Sequence, residues 1–164
     1  MSTARRTLTS FSRLLPLTSR PISSTFRNHL FVSHAPIRKM ADMTPIVAKD
    51  AAPAAGPYSH AVKTPSAIYC SGSIPMDSQG NLIEGTIGEK TAQVFKNLKA
   101  VLAASDSSLE RIVKVNIFLA DMGDFAAMNE EYSKWITHRP ARSCVAVKTL
   151  PKNVDIEIEC IALP

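Results

Sequence analysis

The C-terminal segment of this chain alternates strictly between apolar and acidic side chains. Carboxylates occupy every second position of this run, at Asp155, Glu157 and Glu159, and apolar residues stand between them from Val154 to Ala162. Because successive side chains of a strand point to opposite faces, the run predicts a strand with one buried and one polar face. A sheet of this kind packs its helices on the buried side only.

A long amphipathic helix is the next strong signal. Thr86 and Glu89 form a capping-box pattern, in which each side chain bonds the other residue's backbone N–H at the start of a helix. An apolar stripe at helical spacing follows, and it predicts a helix over residues 87–104. The members of the stripe are Ile87, Thr91, Val94, Phe95, Leu98, Val101 and Leu102.

Shorter patterns predict the other elements. They are a strand over 67–72 that Gly72 ends, a strand over 113–119 with Val113 on its apolar face, and a helix between the turn 121–124 and Pro140. Two final strands, 142–149 and 154–162, are separated by four residues, which predicts a hairpin. In one register of that hairpin Lys148 pairs with Asp155. The element order predicts an α+β sheet with both helices on one face.

The first forty residues differ from the rest of the chain. Residues 1–40 contain seven Lys and Arg, many Ser and Thr, and no acid, which is typical of a mitochondrial import peptide. The alternative is a basic tail that binds nucleic acid or anionic lipid. Met40 stands where the composition changes, so a leaderless cytosolic form that starts near Met40 is a further hypothesis. We expect residues 41–164 to form a single domain.

The charge of the whole chain reflects this leader. The formal net charge is +5, but residues 41–164 carry 12 Lys and Arg against 14 Asp and Glu, a net charge of −2. The predicted domain therefore gives no electrostatic reason to expect a nucleic-acid partner. No apolar run is long enough to cross a bilayer. The cysteines and histidines lack the spacing of metal ligands, so we predict no metal.

Two polar features of the predicted sheet suggest chemistry. Arg142 and Cys144 share one face of their strand, and a guanidinium beside a small thiol is suited to bidentate binding of a carboxylate. The simpler interpretation is an edge arginine that pairs with a neighbouring acid. Among the three carboxylates of the last strand, Glu157 is the candidate to line a cleft and hold water. Here the simpler interpretation is a solvated sheet face.

Five motifs give the chain a resemblance to a known family. They are GPYSHA at 56–61, SGSIP at 71–75, NEEY at 129–132, PARSCV at 140–145 and LPKNVDIEIE at 150–159. In this order they resemble the Rid family of reactive-intermediate deaminases, RidA type, over roughly residues 44–163. The resemblance implies a chorismate-mutase-like fold, assembled as a homotrimer with clefts between subunits.

The resemblance also implies an activity. Rid proteins hydrolyse short-lived 2-imino and enamino acids such as 2-iminobutanoate and 2-iminopropanoate to 2-keto acids and ammonia, without cofactor or metal. Such an activity would protect pyridoxal-phosphate-dependent enzymes and support branched-chain amino-acid synthesis. Two functions of other classes stay open. One is an RNA-directed ribonuclease or translation inhibitor, and the other is a trimeric ligand-binding or chaperone-like module without turnover.

The resemblance assigns roles to seven residues. Arg142 would bind the substrate carboxylate, Glu157 would orient the attacking water, and the backbone at Cys144 would contact the imino nitrogen. The remaining four are Tyr58, which would close the cleft; Asn129, which would contact substrate or hold the arginine; and Gly72 and Ser73, which would line the pocket.

Each of these assignments has a structural alternative. Tyr58 would be a core tyrosine, Asn129 a helix-surface amide, Gly72 a strand end and Cys144 a packed small hydrophobe. Many relatives have glutamine where this chain has Ser73, so the side-chain preference of the pocket stays open.

Overall fold

The computed structural model describes residues 42–164, which form one sheet and two long helices. The predicted import peptide and the start at Met40 lie outside the described residues. The strands are β1 (Thr44–Ile46), β2 (Ala61–Lys63), β3 (Ile68–Ser73), β4 (Ile112–Leu119), β5 (Ala141–Ala146) and β6 (Ile156–Ala162). The helices are α1 (Ile87–Ala104) and α2 (Phe125–Trp135), and 3₁₀ turns span Leu109–Arg111, Met122–Asp124 and Pro151–Asn153.

Helix α1 begins and ends where the sequence predicts. The capping box forms in full: Thr86 Oγ1 accepts from Glu89 N–H at 3.3 Å, and Glu89 Oε2 accepts from Thr86 N–H at 2.8 Å. The two bonds satisfy donors that a helix start leaves unpaired. The stripe from Thr91 to Leu102 is buried. Each of its large apolar side chains contributes roughly 1.5–3 kcal/mol of burial free energy.

The sheet is mixed, with the strands in the order β1, β2, β3, β6, β4, β5. All neighbouring strands are antiparallel except β4 and β5, which are parallel. The predicted hairpin of the last two strands is therefore wrong, since β4 lies between them. The residues 150–153 predicted as its loop instead form a 3₁₀ turn in which Lys152 and Asn153 adopt left-handed backbone, with φ of 55° each.

Strand β6 alternates as predicted, and its Ile156, Ile158 and Cys160 are buried. Strand β4 departs from its predicted pattern at one end. Its pairing with β6 shifts register between Ile112 and Lys114, so Ile112 is buried and Val113 is 42% exposed. The extra residue of a β-bulge turns the side chain to the other face. The placement of Val113 on the apolar face is wrong for that reason.

Both helices pack on one face of the sheet, as predicted. A single core cluster joins buried residues of α1 and α2 to the inward side chains of β3, β4 and β6. Phe95 of α1 is at its centre, with ring centroids 5.5 Å from Tyr132 and 5.9 Å from Trp135 of α2. Between residues 42 and 164 the structure contains no helix long and apolar enough to cross a membrane.

Candidate functional site

Arg142 lies on β5 at the edge of the sheet, where α2 passes over it. Its Nη1 donates to Asn129 Oδ1 at 2.7 Å, and its Cζ lies 4.8 Å from the ring centroid of Tyr132 and 5.8 Å from that of Phe125. The guanidinium has no carboxylate partner within residues 42–164, so the edge arginine is not part of an ion pair there. A guanidinium that is held in place and has unused N–H donors can bind an external carboxylate through two parallel hydrogen bonds.

Helix α2 supplies the residues that hold the guanidinium in place. Asn129 and Tyr132 are three residues apart and therefore share one face of the helix. The contact of Tyr132 with the guanidinium was not predicted from the sequence, where Tyr132 stands in the NEEY motif beside Asn129. Its spacing from Asn129 was the available signal. The three residues line an open cavity of about 510 Å³ between the end of α2 and β5.

Cys144 shares the helix-facing side of β5 with Arg142, as alternation predicts. Its Cα pairs with that of Ile117, a buried residue of β4, and its side chain is partly buried against the core. Burial raises the pKa of the Cys144 thiol, although the Arg142 charge opposes the rise. The thiol is therefore protonated at neutral pH, which disfavours a nucleophilic role.

Glu157 occupies the opposite face of the sheet. It lies on β6 between the buried Ile156 and Ile158, so its side chain points away from the helices. Burial, and then the charge of Glu159, raises the pKa of this half-buried carboxyl above its usual value. No described residue donates a hydrogen bond to it. A carboxylate of raised pKa without a protein partner is suited to exchange protons with a bound water.

The other two acids of the alternating C-terminal run have partners. Asp155 pairs with Lys90 of α1, and Glu159 Oε1 accepts from Asn116 Nδ2 at 2.7 Å. The predicted Lys148–Asp155 pair is wrong, because β5 and β6 are not neighbours and α1 supplies the cation instead. Glu157 is still the freest of the three acids, as expected.

Gly72 allows the Glu157 carboxyl to lie against the backbone of β3. A Cβ atom at position 72 would overlap Glu157 Oε1 and lie 2.8 Å from its Cδ. Gly72 is inside β3 and does not end the strand, contrary to the sequence expectation. A register shift between Cys70 and Ser73 accompanies it, and glycine is common where backbone and another group approach closely.

Tyr58 and Ser73 lie beside Gly72. Tyr58 is 47% exposed and its hydroxyl accepts from Ala55 N–H at 3.0 Å, so it is not a core tyrosine. The Cα of Ser73 pairs with that of Ile158, which places its side chain on the helix-facing side of the sheet. Tyr58, Gly72 and Ser73 line a common internal cavity.

Five of the seven predicted residues form two groups within one chain. The arginine group contains Arg142, Asn129 and Cys144, and the glutamate group contains Glu157 with Gly72 beside it. The other two residues, Tyr58 and Ser73, line the cavity that adjoins Gly72 on the helix-facing side of the sheet. The guanidinium and the carboxylate point to opposite faces of the sheet. They therefore cannot act on one small molecule within a single chain. Within residues 42–164 no cluster of three or more His, Cys, Asp or Glu side chains is arranged to hold a metal ion.

Comparisons with known proteins agree with this architecture. Residues 48–164 match the family model described as endoribonuclease L-PSP. Protein HMF1 of Saccharomyces cerevisiae is 53% identical over 121 residues, which cover 73% of this chain and 94% of that protein. The mitochondrial protein MMF1 of the same yeast is 51% identical over 127 residues, covering 77% of this chain and 88% of MMF1.

Solved structures show the same fold. The crystal structure of yeast Mmf1 matches with a TM-score of 0.73 at 51% identity, over 74% of this chain and 98% of that one. Escherichia coli TdcF, solved with bound serine, matches with a TM-score of 0.71 at 35% identity, over 74% and 98% of the two chains. The chain therefore belongs to the endoribonuclease L-PSP family, which includes the Rid proteins that its motifs resemble.

Proposed function

We propose that this protein hydrolyses reactive 2-imino acids, such as 2-iminobutanoate and 2-iminopropanoate, to 2-keto acids and ammonia. The observation that carries the proposal is the Arg142 guanidinium, which α2 holds in place but no described carboxylate neutralises. The substrate has a carboxylate directly bonded to its C=N carbon. A guanidinium that fixes the carboxylate therefore also fixes the reacting carbon. The reaction requires neither a metal nor a cofactor.

Glu157 is the proposed base. Its pKa is raised toward neutral pH, which makes the carboxylate a stronger base. The carboxylate accepts a proton from water as the water oxygen adds to the carbon of the protonated imine. Addition forms a C–O bond and moves the C=N electron pair to nitrogen. The resulting carbinolamine then expels ammonia and becomes the 2-keto acid. Glu157 can return its proton to the departing nitrogen, so the carboxylate is regenerated.

The two groups of residues favour a site between copies of the chain. Arg142 and Glu157 lie on opposite faces of one sheet, so a complete site needs the arginine group of one protomer and the glutamate group of another. Heterologous contacts of this kind close into rings, and a homotrimer with three clefts fits the proposal. TdcF was solved with serine bound, an acid with nitrogen on the carbon next to its carboxylate. This ligand chemistry supports the same substrate class here.

The decisive experiment generates 2-iminobutanoate in place with a threonine dehydratase and follows the release of 2-oxobutanoate. Arg142→Ala is expected to reduce kcat/KM by about 100-fold or more, because a lost charge-assisted bidentate contact costs several kcal/mol. Arg142→Lys keeps the charge and is expected to recover only part of the loss. Lys99→Ala is the control, since it removes an exposed positive charge on α1 that does not line this cavity. Equal rates for wild type and Arg142→Ala would refute the proposed role of the guanidinium.

A mixing experiment tests the shared site. Arg142→Ala and Glu157→Gln are each expected to be inactive, but subunits exchanged between them form some clefts with both side chains intact. Random mixing in a trimer is expected to restore about a quarter of the wild-type activity. If the site lay within one chain, mixing would restore nothing.

Localisation is proposed from the relatives and the leader. MMF1 is a mitochondrial protein, and residues 1–40 of this chain have the composition of an import peptide. We propose that the protein is in the mitochondrial matrix, where it would protect pyridoxal-phosphate-dependent enzymes, and we retain a leaderless cytosolic form from Met40 as a hypothesis. N-terminal sequencing of the protein from both compartments tests both statements.

The family description makes RNA cleavage the second candidate. The net charge of −2 over residues 41–164 is unfavourable for phosphate-backbone binding. A nuclease built into this fold is expected to show RNA cleavage that falls steeply with salt and copurifies with the chain through every step. Cleavage that is lost on further purification, with deamination retained, excludes it. Ligand binding without turnover in the dehydratase assay would instead indicate a non-catalytic binding module.

A further inference from the structure

His60 contributes an unused hydrogen-bond donor to the interior of the protein. The residue directly precedes β2, and its Nδ1 lies 2.8 Å from the backbone nitrogen of Ala48. A backbone N–H can only donate, so Nδ1 accepts and carries the lone pair. In the neutral ring the proton is therefore on Nε2. The fold thus fixes one tautomer of this imidazole.

The Nε2 atom of His60 is buried and has no hydrogen-bond partner within residues 42–164. Buried polar groups are almost always paired with protein atoms or ordered water. The imidazole ring cannot rotate to bring Nε2 to another partner without breaking the hydrogen bond between Nδ1 and Ala48. The donor must therefore be satisfied by something that enters the interior.

A cavity of about 40 Å³ adjoins His60 on the helix-facing side of the sheet. This volume accommodates roughly one to three water molecules. Its wall includes Ser71, whose Oγ donates to the carbonyl of Ser59 at 2.7 Å and keeps lone pairs for accepting. Ser73 also lines the cavity, and its hydroxyl has no hydrogen-bond partner within residues 42–164. These groups supply the two or more polar contacts that an ordered internal water needs.

We propose that ordered water fills this cavity and accepts a hydrogen bond from His60 Nε2–H, and that His60 is a positioning residue for Tyr58. The imidazole joins the backbone of Ala48 to this cavity, and residues 51–55, which lie between Ala48 and His60 in the chain, also line it. Tyr58 follows these residues in the chain and also lines the cavity. The part of the inference that concerns turnover rests on the proposed deaminase function, whereas the water site does not.

Nitrogen NMR of the wild-type protein tests the water site directly. We expect the ¹⁵N shifts of His60 to show the Nε2–H tautomer and its Nε2 proton to exchange magnetisation with a long-lived water. Detection of the Nδ1–H tautomer, or of an Nε2 proton without water contact, overturns the proposal. Both measurements are independent of any enzymatic activity.

Two variants test the positioning role. His60→Leu removes both bonds, whereas His60→Gln has an amide oxygen to accept from Ala48 and an amide nitrogen to donate to water. We expect His60→Leu to lower kcat by about tenfold with a smaller change in KM, and His60→Gln to recover most of the loss. The ring resonances of Tyr58 are expected to shift in His60→Leu and not in His60→Gln.

The outcomes separate this inference from the proposed function. If wild-type protein does not turn over imines, the Tyr58 resonances still decide the positioning role. Unchanged Tyr58 resonances in a folded His60→Leu protein overturn it, as does a wild-type kcat in that variant. If His60→Leu does not fold, failure of His60→Gln to keep the wild-type Tyr58 resonances and kcat overturns it.

Discussion

Replacing Gly72 with alanine should separate catalysis from stability. The new Cβ would lie 2.8 Å from Glu157 Cδ and would overlap Oε1. Ordinary carbon–carbon contacts begin at about 3.5 Å, so the carboxyl carbon must retreat by about 0.7 Å and the oxygen by more. A displacement near 1 Å in a reacting group costs about 100-fold in rate. We therefore expect Gly72→Ala to lose about two orders of magnitude in kcat.

The fold should tolerate the same change. The atoms in the way belong to the end of a flexible side chain, and Gly72 does not have positive φ. Alanine in such a backbone restricts the unfolded chain, so the change in unfolding free energy should stay within about 1 kcal/mol. The dehydratase-coupled assay gives the rate, and urea denaturation gives the stability.

Gly88→Ala is the matched control for this experiment. A Cβ at position 88 would lie 3.8 Å from Thr86 Oγ1 and 4.0 Å from the Cβ of Glu131, both ordinary contacts. This substitution should leave the rate unchanged. Wild-type turnover by Gly72→Ala would refute the requirement for a carboxylate at the observed position, and so would a rate loss that only follows unfolding.

Two further predictions concern Glu157 and the start of α1. If the Glu157 carboxylate is the base, the kcat of the wild-type protein, measured in a stopped assay, should fall on acidification with a midpoint above 4.5, the usual pKa of Glu. A kcat that does not fall on acidification would contradict this role. Burial disfavours the carboxylate form of Glu157 in the folded protein, so ionised Glu157 lowers the unfolding free energy. This loss of stability is absent below pH 4.5 and complete above the raised pKa. Glu157→Gln should therefore unfold at a higher urea concentration than the wild type at pH 7. Thr86→Ala removes one half of the capping box and should lower the unfolding free energy by about 1 kcal/mol, measured by urea titration, with kcat unchanged. A stability loss below 0.3 kcal/mol would contradict the cap's contribution.

Local sequence signals predicted the helices because their causes are local. The capping box and the stripe of α1 act within a few residues, and both bounds of the predicted helix agree with the structure. The final hairpin failed because strand pairing is decided by the whole sheet. A four-residue link after β5 is compatible with a hairpin, but β5 instead pairs in parallel with β4 over Ala141–Ala146, and β4 takes the place beside β6. The four residues that follow the predicted strand do not distinguish a hairpin from this parallel arrangement.

The features of the candidate site likewise divide into those that local patterns predict and those that depend on the whole sheet. Alternation correctly placed Arg142 and Cys144 on one face, and motif resemblance selected Glu157. The bulge in β3 could not be read from the strand pattern, and it sets the face to which Ser73 belongs. His60 was visible in the GPYSHA motif but had no local signal for its tautomer, since Ala48 donates to it from twelve residues away.

The central position of β6 has a consequence for how the chain matures. Of the six strands described, this one is synthesised last, yet it joins β3 to β4, and its pairing brings Ile68 beside Ala162. Until residues 156–162 emerge, the earlier strands form two separate pieces whose apolar faces cannot close over a common core. Contacts between such distant residues slow folding and prolong exposure of apolar surface. A nascent chain should therefore keep this apolar surface uncovered until β6 has emerged.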